Sequence, residues 1–216
     1  RRHTRFRNVT GVQTCALPIS FRLKHISDPR LTDVVKKAAE AAKWNARTSP
    51  QKSVRKTGVV SGRGISCVLY EGNNGYCALV ADVEVDQDTG VVRVTRFVAA
   101  QDCGPISNPD GLRNQLEGGI LQGMSRALGE EVTWDATKIT SIDWRTYKPL
   151  YLGAPLPAIE SLLINNTSAR ADGAGETAIT VVSGAIANAV FDATGARLRE
   201  APFTPERVKA ALAARA

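Results

Sequence analysis

The chain has 216 residues, 43% of them hydrophobic and 23% charged, a globular composition that excludes a wholly disordered chain, a collagen and a disulfide miniprotein. It holds no run of about 18 apolar residues, so no membrane-spanning helix is expected. The net charge of +7 is lopsided: residues 1–56 carry 14 Lys+Arg against 3 Asp+Glu, whereas the remainder carries 14 against 18. With no aromatic residues interleaved among the basic ones, this argues against a nucleic-acid surface.

Residues 1–20 open with Arg1, Arg2, Arg5 and Arg7, but the stretch that follows is too polar for the apolar centre of a signal peptide. The string Gly11 to Ser20, GVQTCALPIS, resembles translated sequencing-adapter read-through. Residues 1–20 are therefore expected to be foreign, with the natural protein beginning upstream. Residues 21–56 read as a helical segment and a linker. Thr32 is the expected cap, Val34, Val35, Ala38, Ala39 and Ala42 recur at helical spacing, and residues 45–58 are polar, with Pro50 and Gly58.

From Gly58 the texture changes. Residues 59–69 and 76–85 read as strands. Asp86-Gln87-Asp88-Thr89-Gly90 is a hairpin turn, and residues 91–100 form the return strand. Residues 110–128 read as a helix with Leu112, Leu116, Ile120, Leu121 and Met124 near one face. Gly118, Gly119 and Gly123 each cost that helix about 1 kcal/mol relative to alanine, which implies something pressed against its backbone. Short strands are expected at 131–134 and 139–142, and a further one at 159–164. An apolar helix follows over 177–194, stopped by Gly195, and a last helix is capped by Thr204 with Pro205 in its first turn. This mixture, without a regular βαβ count, indicates an α+β fold with mixed sheets and packed helices. Domain limits fall at residues 57–210, with a tail at 211–216.

The four cysteines, Cys15, Cys67, Cys77 and Cys103, are 52, 10 and 26 residues apart and form no CxxC pair. No zinc or iron–sulfur ligand set is encoded, and no side-chain metal site is expected. The scatter suits a reducing compartment, and Cys103 is expected to pack rather than react. Asp102 and Asn108 are expected to form turns.

Gly173-Ala174-Gly175-Glu176-Thr177-Ala178 matches GxGxx[GA], part of a dinucleotide fingerprint. Its context disagrees. Residues 167–172 separate the strand from the first glycine, and Asp192, 19 residues on, falls inside a helix. Two glycines at a helix entrance instead let the backbone approach a partner. Glu176 beside them is either a residue compensating the helix dipole or a buried carboxylate acting as general base.

Four segments in order carry a family resemblance: Ala100-Gln101-Asp102-Cys103-Gly104 with Asn108-Pro109; Gln115-Leu116-Glu117-Gly118-Gly119-Ile120-Leu121-Gln122-Gly123; Gly173-Ala174-Gly175-Glu176; and Ala185-Ile186-Ala187-Asn188-Ala189-Val190 with Thr204-Pro205-Glu206-Arg207. Together they resemble the C-terminal part of the molybdopterin-binding large subunit of the xanthine dehydrogenase/aldehyde oxidase family, nearest its isoquinoline 1-oxidoreductase and nicotinate dehydrogenase branch. The resemblance implies an oxidoreductase that hydroxylates an aldehyde or N-heteroaromatic carbon with oxygen from water. It implies a molybdenum–molybdopterin cofactor in its cytosine dinucleotide form, and electrons passing to a small partner subunit with [2Fe–2S] clusters. Glu176 takes the place of the family's base. Gln122 takes that of its pterin-contacting amide, and Gly118, Gly119, Gly123, Gly173 and Gly175 would let backbone approach the cofactor. Ala174 and Thr177 depart from the usual GVGEP wording. The rest of the large subunit would supply the other contacts, so this segment alone is expected to be inactive. The compartment is open between bacterial cytoplasm and periplasm. The competing expectation is a non-catalytic α+β binding or assembly module with purely structural glycines.

Overall fold

The computed structural model describes residues 18–51 and 57–215. Residues 1–17 of the stretch read as foreign, and residues 52–56 of the linker, lie outside them. The elements in order are α1 (Pro18–His25), α2 (Pro29–Ala41), β1 (Val59–Leu69), β2 (Tyr76–Asp86), β3 (Val92–Asp102), α3 (Pro109–Leu128), β4 (Ala158–Ile164), α4 (Ile179–Thr194) and α5 (Pro205–Ala213). One sheet runs in the order β1-β2-β3-β4. β1, β2 and β3 form an antiparallel meander, and β4 returns parallel to β3 after a connection that contains α3, as a parallel pair requires. The α+β expectation is met.

Helices cover both faces of the sheet, which explains why β2 is buried along most of its length rather than alternating. Cys77, Leu79, Ala81, Val83 and Val85 point to the face packed by α3, α4 and α5. Ala78 and Val80 point to the other face, against Leu31, Val34, Val35 and Ala38 of α2. The hairpin turn forms as expected: Asp86 Oδ1 accepts from the Asp88 and Thr89 N–H groups, and Gly90 adopts φ +82°. Gly195 at φ +78° stops α4, and Thr204 caps α5.

Four expectations need correction. The cap of α2 is Asp28, whose side chain accepts from Leu31 N at 2.9 Å, with Pro29 opening the helix; Thr32 lies inside and bonds the Asp28 carbonyl. The strands expected at 131–134 and 139–142 reduce to one isolated bridge, Trp134 to Ile139, because no neighbouring strand extends the pair. α4 starts at Ile179, two residues later than expected, with Ala178 at its N-cap and no side-chain cap. Asp102 does more than form a turn. It is buried and takes a two-pronged bond from Arg30 (2.7 and 3.1 Å), with further bonds from Gly104 N and Asn166 Nδ2.

The described part of the linker is docked. Arg47 holds Asp192 with two bonds of 2.7 and 2.6 Å, and Arg63 N donates to the same carboxylate. Asp192, which the dinucleotide fingerprint would want at the end of a second strand, is instead a buried anchor of chain segments.

α4 lies directly on β1. A Cβ on Gly62 would overlap the Ala189 carbonyl oxygen, and one on Gly64 the Ala189 nitrogen and Ala185 oxygen. Gly64→Ala is therefore expected to lower the unfolding free energy by about 1–3 kcal/mol, as overpacking does, read by urea denaturation; unchanged stability would contradict this seating. Burial alone would push Asp102 up, but Arg30, Gly104 N–H and Asn166 outweigh it and hold the carboxyl below its ordinary range. Its contribution is present above the unfolded carboxyl pKa and fades as pH falls through the lower folded value. Asp102→Asn should thus be less stable by about 3 kcal/mol at pH 7, and the gap to wild type should begin to narrow below about pH 4 and close only below the lower folded value, measured by denaturation at a series of pH values.

Candidate functional site

The loop over residues 171–176 is tied down at several points. Asp172 N donates to Cys103 O at 2.9 Å, and the Asp172 carboxylate, 6% exposed, faces Arg30 at 3.7 Å. Gly173 N donates to Asn74 Oδ1 at 3.4 Å, and Gln101 Nε2 reaches Ala174 O at 3.5 Å. Cys103 is buried beneath, as expected of a packing residue. The next three residues separate in environment. Glu176 is exposed, whereas Thr177 and Ala178 are fully buried at the foot of α4.

Glu176 precedes α4 instead of lying in its first turn. Its Oε2 accepts from Tyr70 Oη at 2.7 Å. Tyr70 follows the last residue of β1, in the turn that also supplies Asn74. The bond to Glu176 pushes the Tyr70 phenol up to about 12, because ionising it would set two anions side by side. The phenol therefore remains a donor at neutral pH. A buried, desolvated Glu176 is not what the described residues form: the carboxylate is open to solvent beside one tyrosine.

The loop adjoins α3. A Cβ on Gly175 would come 3.3 Å from Gln115 Nε2, and one on Gly119 would touch the Ala178 Cβ at 3.4 Å. A Cβ on Gly123 would clash with Val182, 2.7 Å from its Cγ2. The pressure on the glycine-bearing helix thus comes, at Gly119 and Gly123, from α4. Gly118 differs, with nothing within 4 Å of where its Cβ would be. Gln115, Gly118 and Gln122 are exposed and spaced i, i+3, i+7, so they form one open edge of α3 next to the packed edge. Gly173, Gly175 and Glu176 lie at one end of that edge through Gln115, and Gln122 lies two turns further along.

Two buried polar atoms beneath the loop, Gln101 Oε1 and Thr177 Oγ1, have no hydrogen-bond partner among the described residues. Among those residues no group of three or more His, Cys, Asp or Glu could hold a metal ion. A polar heterocycle does fit the donor set. Gly118 leaves the helix edge bare, and Gln115 and Gln122 offer amides that both donate and accept.

Sequence reasoning singled out neither Tyr70 nor Gln115. A tyrosine just past a strand carries no local signal. Gln115 stood seven residues before Gln122, a spacing that places both on one helix face.

The molybdopterin cofactor-binding domain family matches residues 70–153, a span that contains Gln122 and the glycines of α3 but ends before Glu176. Over 201 residues the chain is 42% identical to one of the subunits of nicotinate dehydrogenase from Pseudomonas putida, covering 90% of this chain and 17% of that protein. It is 31% identical over 189 residues to the beta chain of isoquinoline 1-oxidoreductase from Brevundimonas diminuta, covering 87% and 23%. The crystal structure of quinoline 2-oxidoreductase from Pseudomonas putida 86 superposes with a TM-score of 0.60 at 29% identity, over 66% of this chain and 19% of that one. The chain therefore spans less than a quarter of the length of these relatives.

The two edges of α3 predict opposite outcomes. Gly118→Ala should stabilise the chain by about 0.8–1 kcal/mol, the usual gain in a helix interior, whereas Gly123→Ala should destabilise it by about 1–3 kcal/mol. Paired urea melts that shift in the same direction would contradict the packing described.

Proposed function

Because this chain belongs to the xanthine dehydrogenase/aldehyde oxidase family, as part of a molybdopterin-binding large subunit, we propose that it contributes the general base and one wall of the cofactor site to a molybdenum hydroxylase. The reaction proposed is hydroxylation of an aldehyde or N-heteroaromatic carbon with oxygen from water. The cofactor proposed is molybdenum–molybdopterin in its cytosine dinucleotide form, with electrons leaving to [2Fe–2S] clusters on a small partner subunit. When bound, that group supplies the two-electron acceptor and the Lewis acid that makes water oxygen nucleophilic at neutral pH.

The residues of this chain orient and move a proton. Tyr70 donates to Glu176 Oε2 and fixes the carboxylate. Oε1 is then free to take the proton from the water-derived nucleophile. Gln122 and the bare edge at Gly118 would face the pterin, and Gly173 and Gly175 would let the loop backbone close on it. Gly119 and Gly123 act one step back: they let α4 approach α3, which brings the Glu176 loop to the open edge. The supporting observation is Glu176 held by Tyr70, in a loop whose Gly175 faces Gln115 on the same open edge of α3 as Gly118. The exposure of Glu176 requires that drying of the site come from groups other than those described, with the remainder of the large subunit as the proposed source.

The packing of Gly119 and Gly123 also suits a cofactor-free binding module. Metal content separates the two readings. In the holoenzyme, Glu176→Gln should abolish turnover with molybdenum content unchanged. Tyr70→Phe should lower kcat by about 10–100-fold, the usual cost of losing an orienting partner, again with the metal retained. Metal loss in Glu176→Gln would move that residue from proton transfer to cofactor retention, and a chain that never binds molybdenum would favour the module.

A further inference from the structure

At the far end of α4 from Glu176, a cavity of about 290 Å3 opens between α1, β1 and the C-terminal half of α4. Phe21, Arg22, Trp44, Arg63, Asn188 and Arg197 line it, and none of its lining residues is acidic. Arg63 is already paired with Asp82. Arg22 and Arg197 have no carboxylate partner among the described residues.

Arg22 donates to the carbonyl oxygens of Pro18 and Ile65, both at 2.9 Å. Arg197 lies over the Phe191 ring, 3.3 Å from its centroid, and reaches Asn188 Oδ1 at 3.4 Å. Asn188 Nδ2 donates in turn to Ile65 O at 3.0 Å. One carbonyl and one amide therefore tie the two guanidinium groups into a single wall. Residues 1–17, 52–56 and 216 contain no Asp or Glu. Burial, and for Arg197 also the charges of Arg199 and Arg22, pull both groups below their ordinary pKa. A guanidinium does not shed its proton near neutrality. Both charges are therefore retained at the cavity wall.

We propose that this cavity is a binding site for a dianionic oxyanion, a phosphate group held between Arg22 and Arg197. Two unbalanced cations match a dianion better than a single carboxylate, and guanidinium forks suit phosphate oxygens. The cavity is larger than a bare phosphate, and Trp44 and Phe21 add aromatic surface. The phosphate therefore arrives either as the free ion or on a nucleoside monophosphate whose base lies against Trp44. Pro18, within the stretch read as foreign, contributes a wall and one carbonyl, whereas both arginines lie outside that stretch.

The test is calorimetric titration of the full chain with inorganic phosphate and with cytidine monophosphate at matched ionic strength, against a chloride control, with Tm measured in parallel. Either ligand should bind and raise Tm over chloride. Arg197→Gln should weaken binding about tenfold, since it removes a charged hydrogen bond. Arg197→Lys should retain part of the affinity. In chloride, Arg197→Gln should melt no lower than wild type, because it removes an unbalanced, partly buried charge. Tighter binding of cytidine monophosphate identifies a nucleotide source, and equal binding identifies the free ion. Absence of binding by both ligands, or unchanged affinity in a folded Arg197→Gln chain, overturns the proposal. If Arg197→Gln does not fold, Arg22→Gln makes the same comparison.

Discussion

The seating of α4 on β1 fixes the geometry on which the candidate site depends. The two elements run antiparallel with their backbones in contact. Gly62 faces Ala189 and Ala193, Gly64 faces Ala185 and Ala189, and Ser66 faces Gly184. Continued in the same sense, that register brings Tyr70, just past the end of β1, to Glu176, just before the start of α4, where the phenol and carboxylate bond at 2.7 Å. Small residues on both partners make the approach possible, and the helix returns the cost of its glycine neighbours through burial. Ala185, Ile186, Ala189 and Val190 are all fully buried, and each larger aliphatic side chain so buried contributes about 1.5–3 kcal/mol.

Charge is handled differently at the two kinds of carboxylate. Asp102 and Asp192 are buried, and each is gripped by an arginine and by one backbone N–H. They hold α2 and the 47–51 segment to the body of the fold. Asp102 is a poor base, because its donors outweigh burial and hold its carboxyl below the ordinary range. Glu176 is exposed with one neutral donor, next to Gly175, which faces Gln115 on the open edge of α3. That contrast is the physical reason for assigning proton transfer to Glu176 and structural roles to the two aspartates.

Much of the fold was legible because its signals are local. The Asp86 to Gly90 turn, Gly195 beyond α4 and Thr204-Pro205 before α5 each encode a backbone conformation in a few residues. The apolar repeat of α3 located that helix, and its three glycines signalled a close neighbour. The neighbour's identity was not legible, since distinguishing Gly118, open to space, from Gly123, against Val182, needs the tertiary position of α4. Residues 131–142 misled for the opposite reason: their alternation has no partner strand to pair with. The candidate base was found through its glycine context and family resemblance, whereas its exposure and its tyrosine partner depend on a contact 106 residues apart in sequence.

The central claim is that the Glu176 carboxylate serves a molybdenum centre. The most direct measurement is an experimental structure of the molybdenum-loaded holoenzyme, with the metal located by anomalous scattering. The account predicts the Glu176 carboxylate within hydrogen-bond reach of a ligand of the metal, directly or through one water, with the Tyr70 bond intact. A metal whose ligands are approached by some other carboxylate, with Glu176 turned to bulk solvent, would contradict it.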